Sequence, residues 1–127
     1  MIRGTTAKFK FQLPYPFSSL AGAKVVFWQE ETKTVIIKKL ENCSQGDSQN
    51  ELCVSLCPEE TLKFSEAYKA KAQLKGDIGA FDNSMSFASK EYLITVDPIY
   101  KGCDIDDWEI FTPESREIIF DGGEIGG

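Results

Sequence analysis

Apolar and polar residues exchange places at every second position in one short segment after another, and no long segment repeats its apolar residues at helical spacing. Successive side chains of a strand point to opposite faces, so this pattern commits the chain to half-buried β-strands and excludes a helical bundle. Ala7, Phe9, Phe11 and Leu13 share one face of the first segment, with Lys8, Lys10 and Gln12 on the other. Pro14 and Pro16 end it, because each fixes φ and withholds an amide donor. Residues 18–22 form a connection. Ala23 to Gln29 follows, apolar on both parities at its centre, as suits a strand covered on two sides or one whose outer face meets a partner; Trp28 is its most informative residue. A polar turn at Glu30 to Lys33 leads into Thr34 to Leu40, and the short spacing predicts a hairpin.

Residues 42–51 read as a polar loop. In the next strand Leu52, Val54 and Leu56 point one way and Cys53, Ser55 and Cys57 the other, until Pro58. Pro58 to Phe64 reads as one helical turn, with proline in the first position and Glu59 and Glu60 near the positive end of its dipole; Cys57 is a poor N-cap for it. Tyr68, Ala70, Ala72 and Leu74 then alternate with Lys69, Lys71, Gln73 and Lys75, before a loop from Gly76 to Asn83. In the last segment, Met85 to Val96, the apolar parity changes between Phe87 and Tyr92, so one extra residue near Ser89 and Lys90 predicts a β-bulge. Six such segments predict an all-β fold, an antiparallel β-sandwich.

The chain has 127 residues, 42% of them hydrophobic, enough for one core. Lys+Arg 14 against Asp+Glu 20 leaves no basic surface of the kind that neutralises a phosphate backbone, so no nucleic-acid partner is expected. The sequence contains no histidine, which removes the usual proton shuttle, the histidine-dependent nucleophile systems and most zinc sites. Cys43, Cys53, Cys57 and Cys103 lack CxxC spacing, and reduced thiols serving as small apolar side chains are the expected state. Cys53 and Cys57 share a strand face about 13 Å apart and cannot bridge each other. No cofactor or metal is expected. Asp104, Asp106 and Asp107 lack the turn glycine and terminal glutamate of a calcium loop. The first ten residues carry no signal-peptide core and no segment is apolar enough for a spanning helix, so the expectation is a soluble protein of the cytoplasm with no membrane partner.

Charge is unevenly placed. Eight acids and a single base, Arg116, lie beyond Cys103, so the body is near neutral and the tail carries the negative balance. The expected organisation is a sandwich over 1–103 and an acidic extension over 104–127. Thr112 with Pro113 starts, and Gly122 with Gly123 ends, a candidate helical turn over 113–120. The apolar residues Trp108, Ile110, Phe111, Ile118, Ile119 and Phe120 are the candidate partner-binding anchors, either folded onto the sandwich or held by another chain.

Arg3 to Pro14, Lys33 to Cys43 and Pro58 to Phe64, with Ala88-Ser89 in a late strand and an ending near Asp121, resemble a group of small proteins encoded by phages and prophages. The arrangement is distantly similar to the immunoglobulin-like N-terminal domain of phage baseplate upper proteins. The resemblance covers roughly 3–103; Ala7 stands where that group often has proline, Cys57 where it has a threonine cap, and 104–120 are additional. It implies an immunoglobulin-like sandwich and a non-enzymatic structural role in a virion, in the tail, baseplate or neck. It further implies docking to other virion proteins, with copies in a ring, and residence in the host cytoplasm before assembly. The competing expectation is a carbohydrate-binding module that offers Trp28, Tyr15, Phe17, Tyr68 or Tyr92 as stacking platforms. A hydrolase built on Glu59 and Glu60 is disfavoured, because neighbours on a helical turn diverge by about 100°.

Overall fold

The computed structural model describes residues 1–79, 85–98, 108–111 and 119–121. Two sheets face each other. One runs in the order β4 (Ser44–Gln45), β5 (Glu51–Leu56), β1 (Ala7–Gln12), β9 (Trp108–Phe111). The other runs β10 (Ile119–Asp121), β7 (Met85–Ala88), β6 (Ala70–Ile78), β2 (Leu20–Gln29), β3 (Thr34–Lys39), and β8 (Tyr92–Ile94) also pairs with β6. All named pairings are antiparallel except β1 with β9. The fold is an all-β sandwich.

The predicted faces hold. Ala7, Phe9, Phe11 and Leu13 are buried, as are Leu52, Val54 and Leu56 on β5. They meet Val25 and Phe27 of β2, Ala70, Ala72 and Leu74 of β6, and Phe87 and Ile94. The Phe9 and Phe27 rings, one from each sheet, lie 4.8 Å apart. Apolar area removed from water here is the main stabilising term, at about 25 cal/mol per Å².

Several boundaries differ from the sequence reading. β2 begins at Leu20, before the predicted connection has ended. Ser44 and Gln45 pair with Cys53 and Leu52, so the polar loop contributes a short edge strand. β6 continues through Gly76 to Ile78, because Phe87 lies opposite Gly76 and a Cβ there would come within 2.6 Å of the ring. The glycine ends no strand; it makes room for an aromatic neighbour. The helical turn is α1 (Pro58–Thr61). The parity change also has a structural form: Lys75 faces Ala88 whereas Ala72 faces Tyr92, so the partner of β6 advances one residue more than β6 does. Ser89 sits in that irregularity, buried, its amide donating to Leu74 O (2.8 Å) and its hydroxyl accepting from Leu74 N (3.0 Å).

Two polar clamps tie loops to the sheets. Gln29 is 1% exposed and uses its whole amide. Its Nε2 donates to Ser65 O (2.8 Å) and Tyr68 O (2.9 Å), while its Oε1 accepts from Ser65 N and Thr32 Oγ1, both at 2.8 Å. Thr61, fully buried, accepts from Gly4 N (2.9 Å) and donates toward the carbonyls of Thr5 and Pro58. Gly4 has φ 79, which suits a residue without a Cβ. The Arg3–Thr5 and Pro58–Phe64 segments, both carriers of the resemblance, are therefore in direct contact.

Candidate interaction surface

The outer face of the β8–β6–β2–β3 layer is built from residues whose strand parity turns them away from the core. Cross-strand register arranges them in rows: Leu93, Lys71, Trp28 and Val35; then Gln73, Val26 and Ile37; then Lys75, Lys24 and Lys39. Val35 is 60% exposed, Ile37 52% and Leu93 61%. Trp28 and Val26 are half-buried between them. Contiguous apolar surface of this kind marks interaction sites, whereas single exposed apolar residues do not. Both parities of Val35-Ile36-Ile37 are apolar because Ile36 supplies the core while its neighbours face out.

Electrostatics divide this face. Lys71 sits 3.3 Å from Glu30 and 3.9 Å from Glu91, so the apolar rows carry a locally neutralised cation. Lys24, Lys39 and Lys75 stand abreast and exposed at the other end. They border an open groove completed by Leu40, Glu41, Asp77 and Ser86. Beneath β3, Lys38 reaches Glu60 at 2.8 Å, and Thr34 Oγ1 donates to Lys63 O at 3.0 Å. Burial raises the Glu60 carboxyl, but the Lys38 ammonium and the Cys57 amide, which donates to Glu60 Oε1 at 2.9 Å, together bring it below its ordinary value. Glu60 is thus a structural acceptor that closes the start of α1 from the far end of a capping box.

The tail residues take separate places. Phe111 is 7% exposed, its ring 4.7 Å from Tyr92, 5.2 Å from Phe11 and 5.7 Å from Phe9. Of the two placements expected for it, Phe111 occupies the chain's own core. Trp108 and Ile110 belong to β9, registered with Lys8 and Lys10. Ile119 and Phe120 lie in β10, registered with Ala88 and Phe87, where the sequence predicts a helical turn; pairing with β7 gives them a strand instead. Ile118, the rest of that turn, Cys103 and the Asp104-Asp106-Asp107 cluster lie outside the described residues.

Among the proposed stacking aromatics, Tyr92 is buried against Phe111, and Tyr15 and Phe17 pack on the core. Trp28 and Tyr68 retain exposed surface. Cys43, Cys53 and Cys57 are free thiols, and burial pushes Cys43 up to about 11. Among the described residues no three His, Cys, Asp or Glu side chains gather as metal ligands, and no helix is long and apolar enough to cross a membrane. No model of a known family matches this chain, and no curated protein does.

Trp28 and the two-sided apolarity of β2 stand out in the sequence; Val35, Ile37 and Leu93 do not. The available signal was the apolar pair flanking Ile36 in a strand that a tight hairpin places beside β2.

Proposed function

We propose that this chain is a non-enzymatic structural protein of a phage virion, acting by protein–protein docking. The observation that carries the docking part is the outer face of β2 and β3, where Val26, Trp28, Val35 and Ile37 form a continuous apolar surface. Burying such a surface against a partner contributes in proportion to its area, and a half-buried tryptophan at its centre is the usual kind of interface anchor. The virion part rests on the resemblance of Arg3 to Pro14, Lys33 to Cys43 and Pro58 to Phe64 to phage-encoded proteins. A place in the tail, baseplate or neck accords with a small sandwich that works through faces and edges.

The test is mass-spectrometric identification of this chain in density-purified particles, from cells producing the phage that encodes it. The expected result is co-sedimentation with particles, lost for a folded Ile37→Glu variant. Absence of the wild-type chain from particles refutes the virion role. Trp28 keeps a second reading in play, a carbohydrate platform: glycan-array binding that disappears in a stable Trp28→Ala variant would favour that reading.

A further inference from the structure

Every open sheet faces the problem of its edges, and this fold solves it unevenly. Among the described residues the strands paired on one side only are β4 with two residues, β8 and β10 with three each, β9 with four and β3 with six. Short edges offer little backbone for another strand to pair with, so β3 is the edge with real capacity. Its pairing with β2 is regular from Thr34 to Lys39, without a bulge, and it contains no proline. The inward-pointing lysine that could guard such an edge, Lys38, is held 2.8 Å from Glu60. The usual devices that keep an edge strand single are absent over Thr34 to Ile37.

We infer that β3 pairs antiparallel with β3 of a second copy, forming a two-fold dimer that joins the two larger sheets. The side-chain order of the strand specifies this occupant. In antiparallel pairing, facing residues share a face; a register centred on Ile36 sets Val35 opposite Ile37 of the second copy, twice, and Thr34 opposite Lys38. From Thr34 to Lys38 no two like charges face each other, and the most exposed apolar residues of the strand cover one another; beyond that stretch Lys39 faces the turn residue Lys33 of the second copy, which limits the paired length to these five residues. The contact is isologous, so it closes at two copies, unlike the head-to-tail ring that the resemblance implies. The inference deepens the docking reading by naming the occupant of the β3 edge, and it rests on that reading.

Light scattering across a concentration series, with wild-type chain and three folded variants, decides it. Wild type is expected to approach twice the 14.2 kDa chain mass as concentration rises. Ile37→Lys, which places an ammonium opposite Val35 of the other copy, is expected to remain at the single-chain mass. Ile37→Thr keeps a β-branched residue and is expected to weaken dimerisation by roughly tenfold. Leu93→Thr removes a still more exposed apolar side chain on β8, away from the β3 edge, and is expected to change nothing. Thermal unfolding of each variant verifies that it is folded. A monomeric wild type at all concentrations, a dimer unaffected by Ile37→Lys, or a dimer equally sensitive to Leu93→Thr overturns the pairing. A monomer found in particles refutes this inference alone, whereas a dimer missing from particles refutes only the virion role.

Discussion

Replacing Phe111 by alanine tests whether the acidic C-terminal segment is part of the folded body. The ring is 7% exposed and stands between Tyr92, Phe11 and Phe9, so truncation empties a site lined by three other aromatics. Phe→Ala in a closed core costs about 3–5 kcal/mol, and each lost aromatic pair adds roughly 0.5–1.5 kcal/mol to what area alone predicts. β9 is a short edge strand, though, and can peel away, which caps the loss at the total contribution of the tail strands. The lower end, about 3 kcal/mol, follows, or a fall in Tm of roughly 10 °C for a chain of this size. Urea unfolding followed by circular dichroism provides a second readout. If the variant releases β9 before global unfolding, the m-value falls together with the midpoint, since less surface remains to be exposed. Deleting 104–127 should cost at least as much as Phe111→Ala. A Phe111→Ala loss below about 1 kcal/mol would refute the reasoning, leaving the tail strands outside the cooperative unit.

Gln29→Leu preserves volume but strands the Ser65 amide and the carbonyls of Ser65 and Tyr68; about 2–4 kcal/mol should be lost in chemical unfolding, with Ser65 losing amide protection in hydrogen exchange. The Glu60 carboxyl lies below its ordinary value in the fold, so its contribution is present above about pH 4.5 and fades as pH falls through the folded value. Wild type should therefore lose more Tm than Glu60→Gln between about pH 6 and about pH 3, and parallel profiles would contradict this assignment. Cys43, half-buried and pushed up to about 11, should alkylate more slowly near neutral pH than Cys57, whose thiol is raised too by the Glu59 and Glu60 carboxylates but is exposed, as peptide mapping after brief iodoacetamide treatment would reveal.

Strand faces were legible because a period of two leaves little choice once one face is apolar: Phe9 with Phe11 and Leu52 with Val54 could only point inward together. The bulge at Ser89 was legible for the same reason, since parity cannot change without an inserted residue. What escaped was set by neighbours distant in sequence. Gly76 looks like a loop signal until Phe87 is known to cover it, and Ile119 and Phe120 look helical until β7 is known to lie beside them. Short strands such as Ser44–Gln45 hold too few residues to show any period. For the interaction surface, the two-sided apolar pattern of β2 pointed to Trp28, but only the position of β3 at a sheet edge gives Val35 and Ile37 their significance.

The pairing of β1 has a consequence for synthesis. Lys8 is matched with Ser55 on one side and Trp108 on the other, so β1 waits during synthesis for a neighbour encoded a hundred residues later. Until Phe111 has been made, that flank of Phe9 and Phe11 lacks its cover, and the nascent sandwich can complete itself only after β9 emerges. A ribosome stalled before Trp108 would hold a chain in which β1 is still open along one side.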